Sequence, residues 1–217
     1  PEFRIAFGEN ERRRVAELLR DLPRLEAGKS AEPDGRPLAS GTRPGAKAAG
    51  EGGGGGLPPF IAVNPVALWE TKLWQEEKFA ALCDRIRGEW GIPVVLTGDR
   101  SAPLDRILKM MKTTAVNLGG RTTLRELAAL YHEASLLVST DSGPMHLAAA
   151  VGTPVVALFG PTDPARTGPY GSGHRVIRTG LACSPCFRKS CSNPRCMTEI
   201  SVEEVLTAAK EMLAARN

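Results

Sequence analysis

The sequence predicts an α/β fold, specifically a Rossmann-like parallel sheet, and two observations carry the prediction. From residue 60 onward, short apolar stretches bounded by turn residues alternate with longer segments of helical periodicity. Apart from Ser139, the stretches at 136–139 and 154–159 are apolar, which is typical of strands buried on both faces of a parallel sheet. Repeated strand–helix–strand units with right-handed crossovers then give a Rossmann-like sheet.

Each element follows from periodicity and from capping residues. Val15, Leu18, Leu19 and Leu22 recur at helical spacing and predict an amphipathic helix over 9–22. Ser201 and Glu204 form a capping box at the start of the last predicted helix. The predicted strands are 60–64, 93–97, 115–118, 136–139 and 154–159, and the predicted helices that follow them are 75–90, 103–112, 123–134, 144–151 and 201–215.

Residues 26–58 break this pattern. The stretch is rich in glycine and proline and contains almost no large apolar side chain. It cannot bury enough surface to offset the entropy cost of its own ordering. The sequence therefore predicts a flexible linker or insertion here.

Composition and charge narrow the classes of protein. The chain has 217 residues, with Lys+Arg 28 against Asp+Glu 24 and a net charge of +4. This balance is too weak to indicate nucleic-acid binding, and it fits an anionic small ligand or an anionic membrane surface equally well. Because the sequence shows neither a membrane-length apolar run nor a signal peptide, we expect a cytoplasmic protein. The missing initiator Met leads us to expect a processed chain or a fragment.

The densest group of polar residues lies between the two apolar strands. Asp141, Ser142 and Gly143 follow the strand at 136–139 and open a helix that contains His146. A small turn from strand to helix exposes backbone N–H groups at the positive end of the helix dipole, where anions bind. An ordinary capped helix is the structural alternative. Thr162 and Asp163 end the next strand, and this concentration of polar groups at one sheet edge favours a ligand site.

Other strand ends add candidates at the same edge. Lys72 follows the first strand, where an ammonium can bind a pyrophosphate. Asp99 follows the second strand and can accept a hydrogen bond from a ribose hydroxyl, or it can be a turn or helix cap, and Asp105 competes with it. Trp69 and Trp74 are expected to pack on the sheet.

Four cysteines form a second cluster near the C-terminus. Cys183, Cys186, Cys191 and Cys196 have the spacing C-x2-C-x4-C-x4-C, and four thiols in so short a span can hold a structural zinc ion. The first pair fits metal spacing well, and the later gaps are less usual. Disulfides are disfavoured in a reducing cytoplasm. Cys83 lies on a predicted helix and is expected in the core.

A resemblance to a known family rests on the segment that begins at Asp141. The motifs that carry it are Asp-Ser-Gly-Pro-Met-His at 141–146, Ala-Ala-Ala at 148–150, Gly-Thr-Pro at 152–154 and Leu-Phe-Gly-Pro-Thr at 158–162. They closely resemble glycosyltransferase family 9, the ADP-heptose:lipopolysaccharide heptosyltransferases. The resemblance covers about residues 57 to 215.

The resemblance implies an architecture. In this family, two Rossmann-like domains face a cleft in the GT-B arrangement, and the C-terminal domain binds the nucleotide-sugar donor. Residues 59–217 would be that donor-binding domain, and residues 1–25 would be the remnant of the N-terminal domain and the passage between the two. The general base of the family is an aspartate of the N-terminal domain, so the catalytic residue is unknown here.

The resemblance also implies roles for single residues. Lys72 falls on the family's lysine that contacts the donor phosphates, His146 falls beside those phosphates, and residues 119–123 border the adenine. This chain has Val66 and Leu68 where the family usually has glycine and arginine. The expected donor-binding residues are Lys72, Thr71, Asp99, Thr122, Asp141, Ser142, Gly143 and His146.

The expected function is an inverting transfer of heptose from ADP-heptose to the lipopolysaccharide inner core. No Asp-x-Asp motif is present, so we expect no metal cofactor beyond the candidate structural zinc. The inner-membrane surface is a candidate location, and nucleic acid is not an expected partner. Two alternatives stay open: a nucleotide-binding module that transfers nothing, and another GT-B nucleotide-sugar enzyme such as an epimerase.

Overall fold

A computed structural model describes residues 5–20, 22 and 57–215 of the chain. Its centre is a sheet of six parallel strands in the order β3-β2-β1-β4-β5-β6. The predicted α/β fold with a parallel sheet is confirmed. The linker predicted at 26–58 lies outside the described residues, apart from its last two positions.

Five strands match the predicted stretches within one or two residues at each end. The sixth strand was not predicted, because it is an edge strand with an arginine at each end and only two inner apolar residues. The strands are β1 (Ile61–Asn64), β2 (Val94–Leu96), β3 (Val116–Asn117), β4 (Leu136–Thr140), β5 (Val155–Phe159) and β6 (Arg175–Arg178).

The helices also follow the predicted periodicity. The first helix ends at Leu18 rather than at residue 22, and Leu19 follows it as the C-cap with φ −103° and ψ 11°. The helices are α1 (Glu9–Leu18), α2 (Glu76–Trp90), α3 (Ala102–Met110), α4 (Leu124–Glu133), α5 (Gly143–Ala150), α6 (Pro164–Thr167), α7 (Arg195–Thr198) and α8 (Val202–Ala214), with a 3₁₀ turn at Glu70–Lys72. Of the helices in the described part of the chain, none combines the length and the hydrophobicity needed to span a bilayer.

Two apolar cores cover the two faces of the sheet. Alternate residues of β1 point to opposite faces: Ile61 and Val63 pack with α2, α3 and α8, while Ala62 packs with α1, α4 and α5. Leu19 and Leu22 remain buried in the second core although they lie beyond the end of α1. Because every strand is parallel, all carboxyl ends meet at one edge of the sheet, and the candidate residues of the sequence lie there.

Candidate functional site

The order of the strands marks the place where a ligand fits this sheet. The strand order reverses between β1 and β4, and Asn64 at the end of β1 lies in register with Ser139 of β4. In open α/β sheets, ligands bind in the crevice outside the carboxyl ends of the strands at such a switch point. The loop 65–73 and the turn into α5 form the two sides of this crevice.

Asn64 ties the two sides of the crevice together. Its side chain is fully buried, and its Nδ2 donates to Ser142 Oγ at 3.2 Å and to the carbonyl of Val66 at 3.1 Å. No hydrogen-bond partner of Asn64 Oδ1 lies among the described residues. These bonds fix the first residues of the β1 loop against the start of α5.

The start of α5 has no side-chain cap. Ser142 is in the N-cap position with extended backbone, but its hydroxyl donates to the carbonyl of Thr140 at 3.3 Å instead of accepting from the helix. Pro144 occupies the first turn, where a proline fits because its position needs no N–H donor. Pro144 has no N–H, and the N–H of Met145 donates to the carbonyl of Ser142 at 3.1 Å. The N–H of Gly143 is therefore the donor that the start of α5 offers to an anion at the positive end of the helix dipole.

Lys72 and Asp141 form a buried ion pair on the two sides of the crevice. Lys72 Nζ lies 2.7 Å from Asp141 Oδ2, and the side chains are 15% and 4% exposed. Thr162 Oγ1 donates to the same carboxylate oxygen at 2.6 Å. The carboxylate holds the ammonium in place and neutralises it, and the ammonium keeps further N–H donors for a ligand oxygen.

Trp69 lies beside the ion pair rather than packed on the sheet. Lys72 Nζ is 4.5 Å from the centre of its ring and Lys189 Nζ is 5.3 Å from it. The prediction that Trp69 packs on the sheet is therefore wrong. Trp74 does pack in the core, and its Nε1 donates to the carbonyl of Ile200 at 3.0 Å. A side chain between two ammonium groups belongs to the site.

Two of the expected donor-binding residues face away from the ion pair. Thr71 is buried, and its hydroxyl donates to the carbonyl of Arg188 at 2.7 Å. His146 is exposed in the first turn of α5. Together with Gly143, it borders a largely apolar groove of about 1410 Å³ that runs along α5. Thr71 therefore supports the loop, and His146 lies at the edge of this groove.

The remaining candidate residues lie at the ends of β2 and β3, in a part of the site separate from the Lys72–Asp141 ion pair. Asp99 is exposed there and lies 3.5 Å from Arg100, and Thr122 is half-buried. Asp105, the competing candidate, accepts a hydrogen bond of 2.6 Å from Asn117 and serves the fold. A Cβ on Gly119 would lie 2.5 Å from the carbonyl oxygen of Arg100, so only glycine lets these two loops pack together.

The sequence analysis did not single out Asn64 or Lys189 among the expected binding residues. An amide directly after an apolar strand was an available signal for Asn64. No local signal placed Lys189 beside Trp69, because that contact joins segments far apart in the chain.

The four clustered cysteines lie near one another without converging on one point. Burial raises the pKa of the Cys196 thiol, and the nearby Cys186, Cys183 and Cys191 raise it further. Among the described residues, however, no three His, Cys, Asp or Glu side chains are placed to hold a metal ion together. The described residues therefore do not show the candidate zinc site.

The exposure of the thiols predicts their reactivity. Cys183, Cys186 and Cys191 are exposed, while Cys83 and Cys196 are buried. Burial also raises the pKa of Cys83 far above its usual value. We expect iodoacetamide to modify the three exposed thiols of the native chain first, because a reactive thiol must be accessible and ionised. Peptide mass spectrometry measures this order. Joint protection of the three exposed thiols that a chelator abolishes would instead indicate a bound metal ion.

Comparisons with known families and sequences agree with this geometry. A model of glycosyltransferase family 9 (heptosyltransferase) matches residues 25–197. The chain is 30% identical over 162 residues to lipooligosaccharide heptosyltransferase 2 of Campylobacter jejuni, covering 71% of this chain and 51% of the relative. It is 32% identical over 160 residues to lipopolysaccharide heptosyltransferase 3 of Escherichia coli, covering 71% and 46%. The chain thus spans about half the length of the curated relatives it matches.

Solved structures show the same fold. A family 9 glycosyl transferase from Veillonella parvula superposes with a TM-score of 0.71 at 25% identity, over 97% of this chain and 53% of the other. The ADP-heptose lipopolysaccharide heptosyltransferase II of E. coli gives a TM-score of 0.68 at 24% identity, over 98% and 54%.

Proposed function

The chain belongs to glycosyltransferase family 9, and we propose that it binds the ADP-heptose donor of a lipopolysaccharide heptosyltransferase in the crevice between β1 and β4. The observation that carries the proposal is the buried Lys72–Asp141 pair beside the uncapped start of α5. A fixed ammonium and a backbone N–H at a helix N-terminus, here that of Gly143, are donors of the kind that bind a pyrophosphate in other α/β proteins.

In the proposed reaction, an acceptor hydroxyl of the lipopolysaccharide core displaces ADP from the anomeric carbon of heptose with inversion. Negative charge gathers on the departing pyrophosphate. Lys72 and the start of α5 stabilise that charge, as preorganised donors do. We assign no general base, because Asp141, the only carboxylate buried in the described part of the chain, is already engaged by Lys72 and Thr162.

The proposal extends to domains and location. Residues 59–217 act as the nucleotide-sugar-binding domain, residues 26–58 as a linker, and residues 1–25 as the passage from an N-terminal domain. The packing of α1 against α4 supports a passage helix that docks on the donor domain. The relatives are named lipooligosaccharide and lipopolysaccharide heptosyltransferases, and the proposal places the activity in the cytoplasm at the inner-membrane surface.

Calorimetry tests the donor. We expect the chain to bind ADP and ADP-heptose and to bind the UDP-sugar of matched size at least about tenfold more weakly, since the wrong base leaves polar groups of the site unpaired. A preference for the UDP-sugar would point to another GT-B enzyme. Absence of binding to all of these nucleotides would overturn the proposal.

A donor-binding module without transfer activity is the second candidate. The observation that favours it is that Asp141, the only carboxylate buried in the described part of the chain, is engaged by Lys72 and Thr162. A truncated lipopolysaccharide core is added to the chain and ADP-heptose, and the release of ADP is measured. Binding without ADP release supports the module, and steady release supports the complete transferase.

A further inference from the structure

The segment that contains the cysteines has an unusual charge pattern. Residues 164–198 contain no Asp or Glu, although the whole chain is nearly balanced in charge. Arg175 pairs with Glu211 at 2.8 Å and Arg195 pairs with Glu199 at 2.5 Å. The remaining cations of the segment have no carboxylate partner within the described ranges; they are Arg166, Arg178, Arg188 and Lys189.

Aromatic rings rather than carboxylates accompany two of these cations. The Arg166 guanidinium lies 5.1 Å from the centre of the Phe187 ring, and Lys189 Nζ lies 5.3 Å from that of Trp69. Phe187 is exposed and has a φ of 55°, a conformation that a bulky residue rarely adopts. Such strained conformations concentrate at ligand-binding positions. The Trp69 ring is half-buried and keeps one side toward the Lys189 ammonium.

The segment is anchored beside the donor crevice. The hydroxyl of Thr71 donates a hydrogen bond to the carbonyl of Arg188. The cations Arg188 and Lys189 therefore lie next to the loop that carries Lys72. The N–H groups of Cys186 and Phe187 donate to the carbonyl of Pro161 at 2.9 and 2.7 Å. A Cβ on Gly160 would lie 2.6 Å from Met197 Sδ, so the segment packs closely on the end of β5. The cations therefore belong to a fixed surface.

We propose that Arg166, Phe187, Arg188, Lys189 and Trp69 form a surface that binds the carboxylate or phosphate groups of an anionic saccharide acceptor. The guanidinium fork and the ammonium suit those groups, and the flat rings suit the apolar faces of sugars. The position beside the donor crevice favours an acceptor over a bilayer. This inference rests on the proposed function, because it places the acceptor next to the donor phosphates.

Calorimetry with the full chain tests the surface. The probes are a hexuronic acid oligosaccharide, a phosphorylated oligosaccharide of the same length and a neutral one. We expect one or both anionic probes to bind and the neutral probe not to bind. The double variant Arg188→Ala/Lys189→Ala should weaken anionic binding at least about fivefold. The comparison of the two anionic probes identifies carboxylate or phosphate as the recognised group.

The control is Lys109→Ala/Lys112→Ala, which removes two exposed cations at the opposite end of the sheet. It should leave both saccharide binding and ADP binding unchanged. Equal binding of the neutral probe, or no loss in the Arg188/Lys189 variant, would overturn the inference. Binding only to vesicles of anionic phospholipid would also overturn it and assign the surface to a membrane. If the parent chain itself does not bind ADP, the proposed function is overturned instead.

Discussion

Replacing Lys72 with methionine is expected to weaken ADP binding by about 10- to 100-fold, the loss typical of a charge-assisted hydrogen bond. The ion pair makes the crevice neutral in the parent chain. The variant removes the ammonium and leaves the Asp141 carboxylate, so the crevice becomes negative and repels the pyrophosphate. Isothermal titration calorimetry with ADP measures the loss.

Two further variants distinguish a direct contact between Lys72 and the phosphates from an effect of the net charge of the crevice. Lys109→Met removes an exposed ammonium near the end of α3 and should leave ADP affinity unchanged. The double variant Lys72→Met/Asp141→Asn restores a neutral crevice without an ammonium. If Lys72 contacts the phosphates, the double variant stays weak. Full recovery of affinity would show that Lys72 acts only by neutralising Asp141.

The difference between predicted and missed elements has a physical origin. Strands β1, β4 and β5 are buried along their whole length, so their sequences must be apolar and are visible without a structure. Strand β6 pairs on one side only, with β5, and its two arginines are exposed. A half-buried edge strand has few apolar residues from which it could be predicted. Strand β6 forms because it pairs with β5, and its own sequence does not predict it.

The candidate site also has features that the sequence predicts and features that it does not. The positions of Lys72 and Asp141 at one sheet edge follow from strand order alone, because parallel strands bring their carboxyl ends together. Their pairing does not follow, since the sequence equally allowed each residue to face a ligand by itself. The contact between Thr71 and Arg188 depends on the path of the cysteine-rich segment, which has no periodic pattern to predict it.

Replacing Asp141 with alanine is expected to destabilise the chain by about 3–5 kcal/mol, the cost of breaking a buried ion pair from one side. The Lys72 side chain is 15% exposed and would lose its countercharge, and the Thr162 hydroxyl, which is 2% exposed, would lose its acceptor. Folding removes both groups from water and pairs them with the carboxylate. Without the carboxylate, the cost of removing them from water is no longer offset. Urea unfolding of the ligand-free chain, followed by circular dichroism, measures the change.

A short series of variants assigns the loss to the ion pair. Thr162→Val removes one hydrogen bond and should cost only about 1 kcal/mol. Asp141→Asn keeps an oxygen for Thr162 and should fall between that value and the alanine variant. Lys72→Met/Asp141→Asn removes both charges and should recover most of the stability, because replacing a whole buried pair is often nearly neutral. A loss below about 1 kcal/mol in Asp141→Ala would contradict the argument. It would mean that Lys72 turns into solvent and that the pair does not hold the ammonium in place for a ligand.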